Sequence, residues 1–342
     1  MYLLKQIPED FVVKEISNVA ISNSGKYLYF KLSKREENTL DAIKNLSKAL
    51  HLPEKNFGVA GNKDRNAITE QICSVLGTTK ENLLKVNFDN LTIQFLGYGE
   101  IPISLGDLEA NHFEIVIRNL EAKTKVNSLK YFSNYFDEQR FSEHNVEIGR
   151  FLVKKEFQKA AELVDNRNSQ NWLQERPQDF VGALKKVPIR LLRMYVNAYQ
   201  GYLWNETVSL YLKNKSSKYH EAEYSQGKLV FVEEPEQFKD LKIPIVGFGG
   251  EDLIKDKEIK TIIESLLIKE KISYADFIIK QIPELTLEGE ERVVFVEVKD
   301  LKISKLEPDE LNLNKYKIKV SFKLGKGSYA TMCIRALFNT SI

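Results

Sequence analysis

The order of the hydrophobic patterns along the chain constrains its fold more than any other feature of the sequence. Aromatic and β-branched residues, typical of strands, alternate with polar ones at 11–16, 26–32, 67–76, 91–96 and 112–120. A helical stripe lies between the second and third of these segments, over residues 40–50, and Asn38 or Thr39 can cap its start. Strands interleaved with helices predict an α/β or α+β fold.

The middle of the chain has a different pattern. Helices are predicted at 125–141, 149–164, 188–212 and 256–269, whereas residues 213–240 are polar, acidic and loop-like. Strand-like segments return at 292–298 and 316–324. The sequence therefore predicts a β-rich unit that is interrupted by a mostly helical block and closed by C-terminal strands.

Composition excludes several classes of protein. The chain has 342 residues, of which 43% are apolar and 29% charged, as in an ordinary globular protein. No apolar run approaches the roughly 20 residues that span a bilayer, and the N-terminus becomes polar too early for a signal peptide. The two cysteines and four histidines do not have metal-ligand spacings, so we expect no metal site, no disulfide and a cytoplasmic location.

The segment from Gly58 to Gln71 contains the densest set of candidate catalytic residues. Two glycines allow a tight backbone path, and Asp64 lies between Lys63 and Arg65, which would favour its charged form. An ionised carboxylate on a loop is suited to be a nucleophile or a general base. The alternative is an ordinary polar turn with a surface ion pair, and composition alone favours that turn.

Two stretches are basic although the formal net charge is only +2. The first, residues 181–205, has no acidic residue and interleaves aromatic side chains with four cations, Lys185, Lys186, Arg190 and Arg193. The second runs from residue 311 to the C-terminus, where Lys315, Lys317 and Lys319 would share one face of a strand. Such faces suit phosphate contact and base stacking, or else they are simply solvated surfaces.

Six blocks of sequence, in order along almost the whole chain, resemble the TruD family of tRNA pseudouridine synthases. They are Pro8–Val13, Phe57–Gln71, Leu105–Phe113, Asn134–Phe141, Ala198–Asn205 and Leu324–Arg335. The second block reads A-G-N-K-D-R-N-A-I-T-E-Q, which is similar to the family signature A-G-x-K-D-[RK]-x-A-[VI]-T-x-Q. The chain differs where Ala110, Asp137 and Ser142 replace glycines of the family pattern.

The resemblance implies a fold, a reaction and a partner. It implies a pseudouridine synthase core with a mixed or antiparallel sheet, formed by residues 1–130 and 281–342. A mostly helical, family-specific insertion would occupy residues 131–280. It also implies that the protein isomerises uridine to pseudouridine in tRNA, typically at position 13, without a cofactor or metal. We expect the protein to be a monomer.

The resemblance further implies roles for individual residues. Asp64 would be the catalytic carboxylate, attacking or deprotonating the ribose, and Lys5 would pair with it and keep it ionised. Phe11 and Phe113 would pack against the extruded base, Asn111 would hydrogen-bond to the nucleotide, and Tyr329 would line the pocket. Supporting roles are expected for Lys63, Arg65, Asn134, Arg140 and Arg335.

Three other readings are consistent with parts of the sequence. One is a pseudouridine synthase that acts at another tRNA position or on several RNAs. Another is an RNA-binding or tRNA-chaperone protein in which catalysis is secondary, although such a protein would not need the carboxylate of Asp64. The third, a small-molecule α/β enzyme, lacks a phosphate-binding loop or a metal cluster to support it.

Overall fold

A computed structural model describes residues 2–338. Its strands are β1 (Phe11–Ile16), β2 (Tyr27–Arg35), β3 (Phe57–Val59), β4 (Ile68–Val75), β5 (Leu91–Gly99), β6 (Ala110–Leu120), β7 (Tyr131–Ser133), β8 (Tyr219–Tyr224), β9 (Gly227–Val232), β10 (Lys242–Ile245), β11 (Glu290–Val293), β12 (Phe295–Glu297), β13 (Lys299–Ile303), β14 (Glu307–Pro308) and β15 (Tyr316–Gly325). Its α-helices are α1 (Thr39–Ala49), α2 (Lys80–Lys85), α3 (Asn145–Val153), α4 (Phe157–Leu163), α5 (Arg167–Glu175), α6 (Phe180–Leu184), α7 (Ile189–Lys215), α8 (Lys257–Glu270) and α9 (Ala330–Phe338).

The described chain divides into two compact units. The first runs up to Lys130 and again from Glu297 to Ala330, and the second contains Tyr131–Val296 and the residues from Thr331 onward. The predicted first domain began its second part at 281 instead. Residues 281–296 belong to the second unit because β11 pairs with β10, and α9 joins it through the contact of Thr331 with Asp137. Residue 1 and residues 339–342, which the prediction also assigned to the first domain, lie outside the described part of the chain.

The first unit is built on a mixed sheet with the strand order β13-β15-β6-β1-β4-β2-β5. Strands β1 and β4 are parallel, with Val12 opposite Ile68, and all other neighbouring strands along this path are antiparallel. Parallel strands start at the same edge of a sheet. The segments that precede β1 and β4 therefore lie side by side, although the two strands begin 57 positions apart, at Phe11 and Ile68.

Period-two alternation gives the sheet one of its buried faces. Leu28, Phe30 and Leu32 of β2 pack with Ile43 and Leu46 of α1 in one hydrophobic cluster. Burial of such side chains is the main favourable contribution to folding. The side chain of Asn38 accepts a hydrogen bond from the backbone N–H of Asp41, which confirms the predicted cap of α1.

The second unit is mostly helical and is organised around α7. This helix has 27 residues, and its aromatic side chains Tyr195, Tyr199, Tyr202 and Trp204 are buried. Three two-stranded sheets accompany the helices: the antiparallel pairs β8 with β9 and β10 with β11, and the pair β7 with β12. No helix in the described part of the chain, residues 2–338, is long and apolar enough to cross a membrane.

The structure confirms most predicted elements and corrects three of them. Residues 125–141 are not a helix but contain β7 and a single 3-10 turn at Glu138–Arg140. The segment predicted as a polar loop, 213–240, contains the hairpin of β8 and β9, in which Ala222 and Leu229 are buried. The helix predicted at 149–164 is two helices, because the chain turns at Lys155, whose φ is 60°.

Candidate active site

Asp64 lies on the loop that connects β3 to β4, at the sheet edge where β1 also begins. Strand β3 pairs with the end of β4, so residues 60–67 form the closed end of a hairpin. The side chain of Asp64 is 35% exposed, whereas that of Lys63 is buried and that of Arg65 is exposed. A partly exposed carboxylate at a sheet edge is accessible to a bound substrate.

Lys5 is the ionic partner of Asp64. Its Nζ lies 3.2 Å from Asp64 Oδ2 and 4.1 Å from the centre of the Phe11 ring. Lys5 has a φ of 56°, in the left-handed region that a lysine adopts only at a cost. The structure therefore brings together three residues that the sequence predicts to act as one site.

Lys63 does not turn towards Asp64, as its neighbouring position suggested, but towards Glu15 of β1. The distance from Lys63 Nζ to Glu15 Oε2 is 2.5 Å, and the side chains are 6% and 1% exposed. The other carboxylate oxygen of Glu15 accepts a hydrogen bond from the backbone N–H of Ile72. The ion pair thus ties the loop to two strands, because β1 and β4 are adjacent in the sheet.

Two further side chains fix the backbone of the same loop. The hydroxyl of Thr39 accepts from the Lys63 N–H at 3.0 Å and donates to Gln71 Oε1 at 2.9 Å. The amide of Gln71 in turn donates to the carbonyl of Gly61. This chain of bonds gives a physical reason for the glutamine that ends the signature block.

The two glycines before Asp64 have different surroundings. A Cβ at Gly58 would lie 2.2 Å from the carbonyl oxygen of Ile103, so this glycine permits close approach of another backbone segment. A Cβ at Gly61 would meet nothing within 4 Å. Neither glycine has a positive φ. Gly58 is therefore needed for backbone packing, whereas the space beside Gly61 is open.

The predicted base-binding aromatics are part of the sheet core. Phe11 is 1% exposed and Phe113 is 7% exposed, and their rings meet edge to face at 6.2 Å between centroids. Phe322 of β15 stacks on Phe113 at 5.5 Å. They form a hydrophobic layer beneath Lys5, since the lysine ammonium covers the Phe11 ring.

Two predicted nucleotide contacts also lie in the first unit. Asn111, on β6, has a buried side-chain oxygen with no hydrogen-bond partner. An unpaired buried acceptor costs free energy, which a ligand donor would recover. Tyr329 is half-buried in the connection between β15 and α9.

The other predicted supporting residues lie in the second unit. Asn134 is 2% exposed and adjoins Tyr135 and Phe136, which pack on Trp204. Arg140 lies over the ring of Phe136, and the side chain of Arg335 is 10% exposed, with one nitrogen 4.0 Å from Glu138.

The two basic stretches have different surroundings in the structure. Lys185, Lys186, Arg190 and Arg193 are exposed, although Lys186 lies over the Trp172 ring and Arg193 donates to the Glu284 carbonyl. The aromatic residues of this stretch, Tyr195, Tyr199, Tyr202 and Trp204, follow these cations and are buried in the unit, so they are not available for base stacking. Lys315, next to β15, and the lysines of β15 form ion pairs: Lys315 with Glu121, Lys317 with Glu310, Lys319 with Glu114 and Lys323 with Asp300. That face is therefore close to neutral.

Sequence reasoning gave no site role to four residues that contact the loop of Asp64: Glu15, Lys34, Thr39 and Gln71. The alternation along β2 could have indicated that Lys34 is buried, because it follows Leu28, Phe30 and Leu32 at steps of two and is buried with them. The predicted strand ended at residue 32, which placed Lys34 outside it. Among residues 2–338, no group of three or more His, Cys, Asp or Glu side chains could hold a metal ion.

This chain resembles known proteins in both its sequence and its fold. A family profile described as tRNA pseudouridine synthase D (TruD) matches residues 2–171 and 162–337. "Probable tRNA pseudouridine synthase D 2" of Methanocaldococcus jannaschii is 33% identical, over 98% of this chain and 91% of the relative. "tRNA pseudouridine synthase D" of Aquifex aeolicus is 29% identical, over 99% and 98%. A crystal structure from Methanosarcina mazei, of a protein also described as tRNA pseudouridine synthase D, has a TM-score of 0.69 and 25% identity, over 99% of this chain and 93% of the other.

Proposed function

This chain belongs to the TruD family of tRNA pseudouridine synthases and is therefore an RNA isomerase, and we propose that it acts on uridine 13 of tRNA with Asp64 as the catalytic carboxylate and no cofactor. The ion pair of Asp64 with Lys5, above the Phe11 ring, is the observation that supports this most strongly. It joins a carboxylate, a cation and an aromatic layer from two segments that are distant in the sequence.

The reaction exchanges one bond of the nucleotide for another. The bond between ribose C1′ and uracil N1 breaks, the bond between C1′ and C5 forms, the C5 hydrogen leaves as a proton, and N1 gains one. The Asp64 carboxylate either attacks C1′ as the N1 bond breaks or removes the proton from C2′. A carboxylate suits both routes because it can form and later release an ester, or accept a proton.

The uracil has to leave the base stack before it can react. We propose that the extruded nucleotide lies against Asn111, whose buried side-chain oxygen lacks a donor, and against Tyr329. Phe11 and Phe113 would form the apolar floor of this pocket rather than an exposed stacking surface, because both are buried. Asn134, Arg140 and Arg335 would support the structure of the second unit.

The two units have different proposed roles. The first unit contains Asp64, Lys5, Asn111 and Tyr329, and we propose that it is the catalytic core. The second unit would be the family-specific insertion, and its exposed cations Lys185, Lys186, Arg190 and Arg193 would contact tRNA phosphates. One chain supplies all the proposed catalytic residues, which is consistent with a monomer, and we place the enzyme in the cytoplasm with its tRNA substrate.

Release of the C5 hydrogen provides a direct assay. With tRNA labelled by tritium at C5 of uridine, the wild-type protein should release tritium to water, whereas Asp64→Asn should release none and still bind tRNA. Asp89→Asn is a matched control, because Asp89 is an exposed aspartate of the same unit. Tritium release by Asp64→Asn would exclude the proposed carboxylate, and tRNA binding by the wild type without any release would favour an RNA-binding protein.

A further inference from the structure

Lys34 is a buried lysine whose ammonium group contacts the main chain at the catalytic loop. It is 2% exposed, and its Nζ donates to the carbonyl of Asp64 at 2.8 Å and to that of Lys63 at 3.4 Å. It also donates to the carbonyl of Glu37, between β2 and α1. A protonated lysine has three N–H donors, and here each has a carbonyl acceptor.

Burial of this lysine has a cost that packing alone does not explain. Its neighbours in phase on β2 are Leu28, Phe30 and Leu32, and an apolar residue at position 34 would continue that face. A buried ammonium is retained only where it is well paired. Its acceptors include the carbonyls of two consecutive residues, the second of which is Asp64.

Charged groups on both contacting segments act on Lys34. Burial lowers its pKa to about 8, while attraction from Asp64 and Glu37 acts in the opposite direction and repulsion from Lys63 adds to the decrease. Asp64 is itself paired with Lys5, and Lys63 with Glu15. At neutral pH the ammonium is therefore mostly protonated, and it loses its proton within the accessible alkaline range.

We propose that Lys34 is a positioning residue for Asp64, because its ammonium fixes the peptide groups on both sides of the Asp64 α-carbon and so sets the direction of the carboxylate. The inference rests on the proposed role of Asp64. Lys34 does not touch the substrate and acts only through the loop. Thr39 and Gln71 bind the main chain of the same loop at Lys63 and Gly61, whereas Lys34 binds the carbonyl of Asp64 itself.

The proposal predicts a specific dependence on pH. Above a pH of about 8 the neutral amine has one donor fewer, so one carbonyl loses its bond and kcat decreases. The effect on stability has the opposite sign. The folded protein binds this proton less tightly than the unfolded chain does, so between pH 8 and 10.5 loss of the proton increases stability. Titration of Lys34 itself therefore does not destabilise the folded protein.

The experiment compares Lys34→Met, Lys34→Arg and the control Lys31→Met. Lys31 lies on the same strand but forms only a surface pair with Glu70 at 3.8 Å. Lys34→Met should lower kcat for tritium release by about 100-fold without changing KM for tRNA, as expected for a misplaced catalytic group. Lys34→Arg keeps the charge and should recover kcat to within about tenfold, without the alkaline decrease above pH 8.

Hydrogen–deuterium exchange separates this inference from the proposed function, because it needs no turnover. Peptides spanning residues 60–67 should exchange faster in Lys34→Met than in Lys31→Met. Unchanged exchange, or a wild-type kcat in Lys34→Met, would overturn the role of Lys34 while leaving that of Asp64 intact. If Lys34→Met does not fold, Lys34→Arg decides: an alkaline decrease identical to that of the wild type would overturn the proposal.

Discussion

The buried pair of Glu15 and Lys63 allows a quantitative test of how the loop that contains Asp64 is held. Glu15→Gln keeps the shape of the side chain and an acceptor for the Ile72 N–H, but it removes the negative charge. The ammonium of Lys63, whose side chain is 6% exposed, would then remain buried without its counter-ion. The substitution therefore isolates the cost of an uncompensated buried charge.

The expected loss can be estimated from burial. Removing one partner of a buried ion pair costs about 3–5 kcal/mol, and because glutamine retains a hydrogen-bond acceptor we expect about 3 kcal/mol. Glu9→Gln is the matched control, since Glu9 pairs with Arg35 and both side chains are close to half exposed. A surface pair of this kind contributes less than about 1 kcal/mol.

Urea unfolding followed by far-UV circular dichroism measures both variants. Tryptophan fluorescence is unsuitable, because Trp172 and Trp204 both lie in the second unit. A double-mutant cycle with Lys63→Met should give a coupling free energy of about 2 kcal/mol, since the double variant no longer contains an unpaired charge. If Glu15→Gln costs no more than Glu9→Gln, or if the cycle is additive, the ion pair does not hold the loop.

Three further outcomes are expected. Lys5→Met should lower kcat for tritium release about 10- to 100-fold, because Asp64 loses the cation 3.2 Å away, and an unchanged kcat would remove Lys5 from the site. Gly58→Ala should destabilise the protein by about 1–3 kcal/mol in urea unfolding, since its Cβ would meet Ile103 at 2.2 Å, whereas Gly61→Ala should cost far less; equal costs would refute this. Replacing the four exposed cations Lys185, Lys186, Arg190 and Arg193 by glutamine should weaken tRNA binding. The slope of log Kd against the logarithm of the salt concentration should decrease by about 3, at about 0.7–0.9 for each phosphate contact, and an unchanged slope would locate the RNA elsewhere.

Local patterns predicted the sheet of the first unit because its strands alternate between buried and half-buried residues. Strand β6, for example, alternates at Phe113, Ile115 and Ile117, all of which are buried. The same rule failed at residues 213–240, where β8 is mostly polar and only its Ala222 and Tyr224 are buried. It also failed at 125–141, where Tyr135 and Phe136 are buried by tertiary contacts with Trp204 that local spacing does not encode.

The site was predictable only in part. The TruD resemblance indicated both Asp64 and Lys5, and the structure places them in contact. Adjacent position in the sequence suggested that Lys63 would support Asp64, but successive side chains on an extended segment point in different directions, and Lys63 reaches Glu15 instead. The contacts of Lys34 depend on the pairing of β2 with β4, which the sequence alone did not specify.

Mapping of pseudouridine in tRNA treated with the purified protein tests the central claim most directly. We predict that the wild-type protein converts the uridine at position 13, that Asp89→Asn does the same, and that Asp64→Asn converts none. Pseudouridine at position 13 after treatment with Asp64→Asn would contradict the assignment of Asp64 as the catalytic carboxylate. Conversion by the wild type only at other positions would contradict the proposed target.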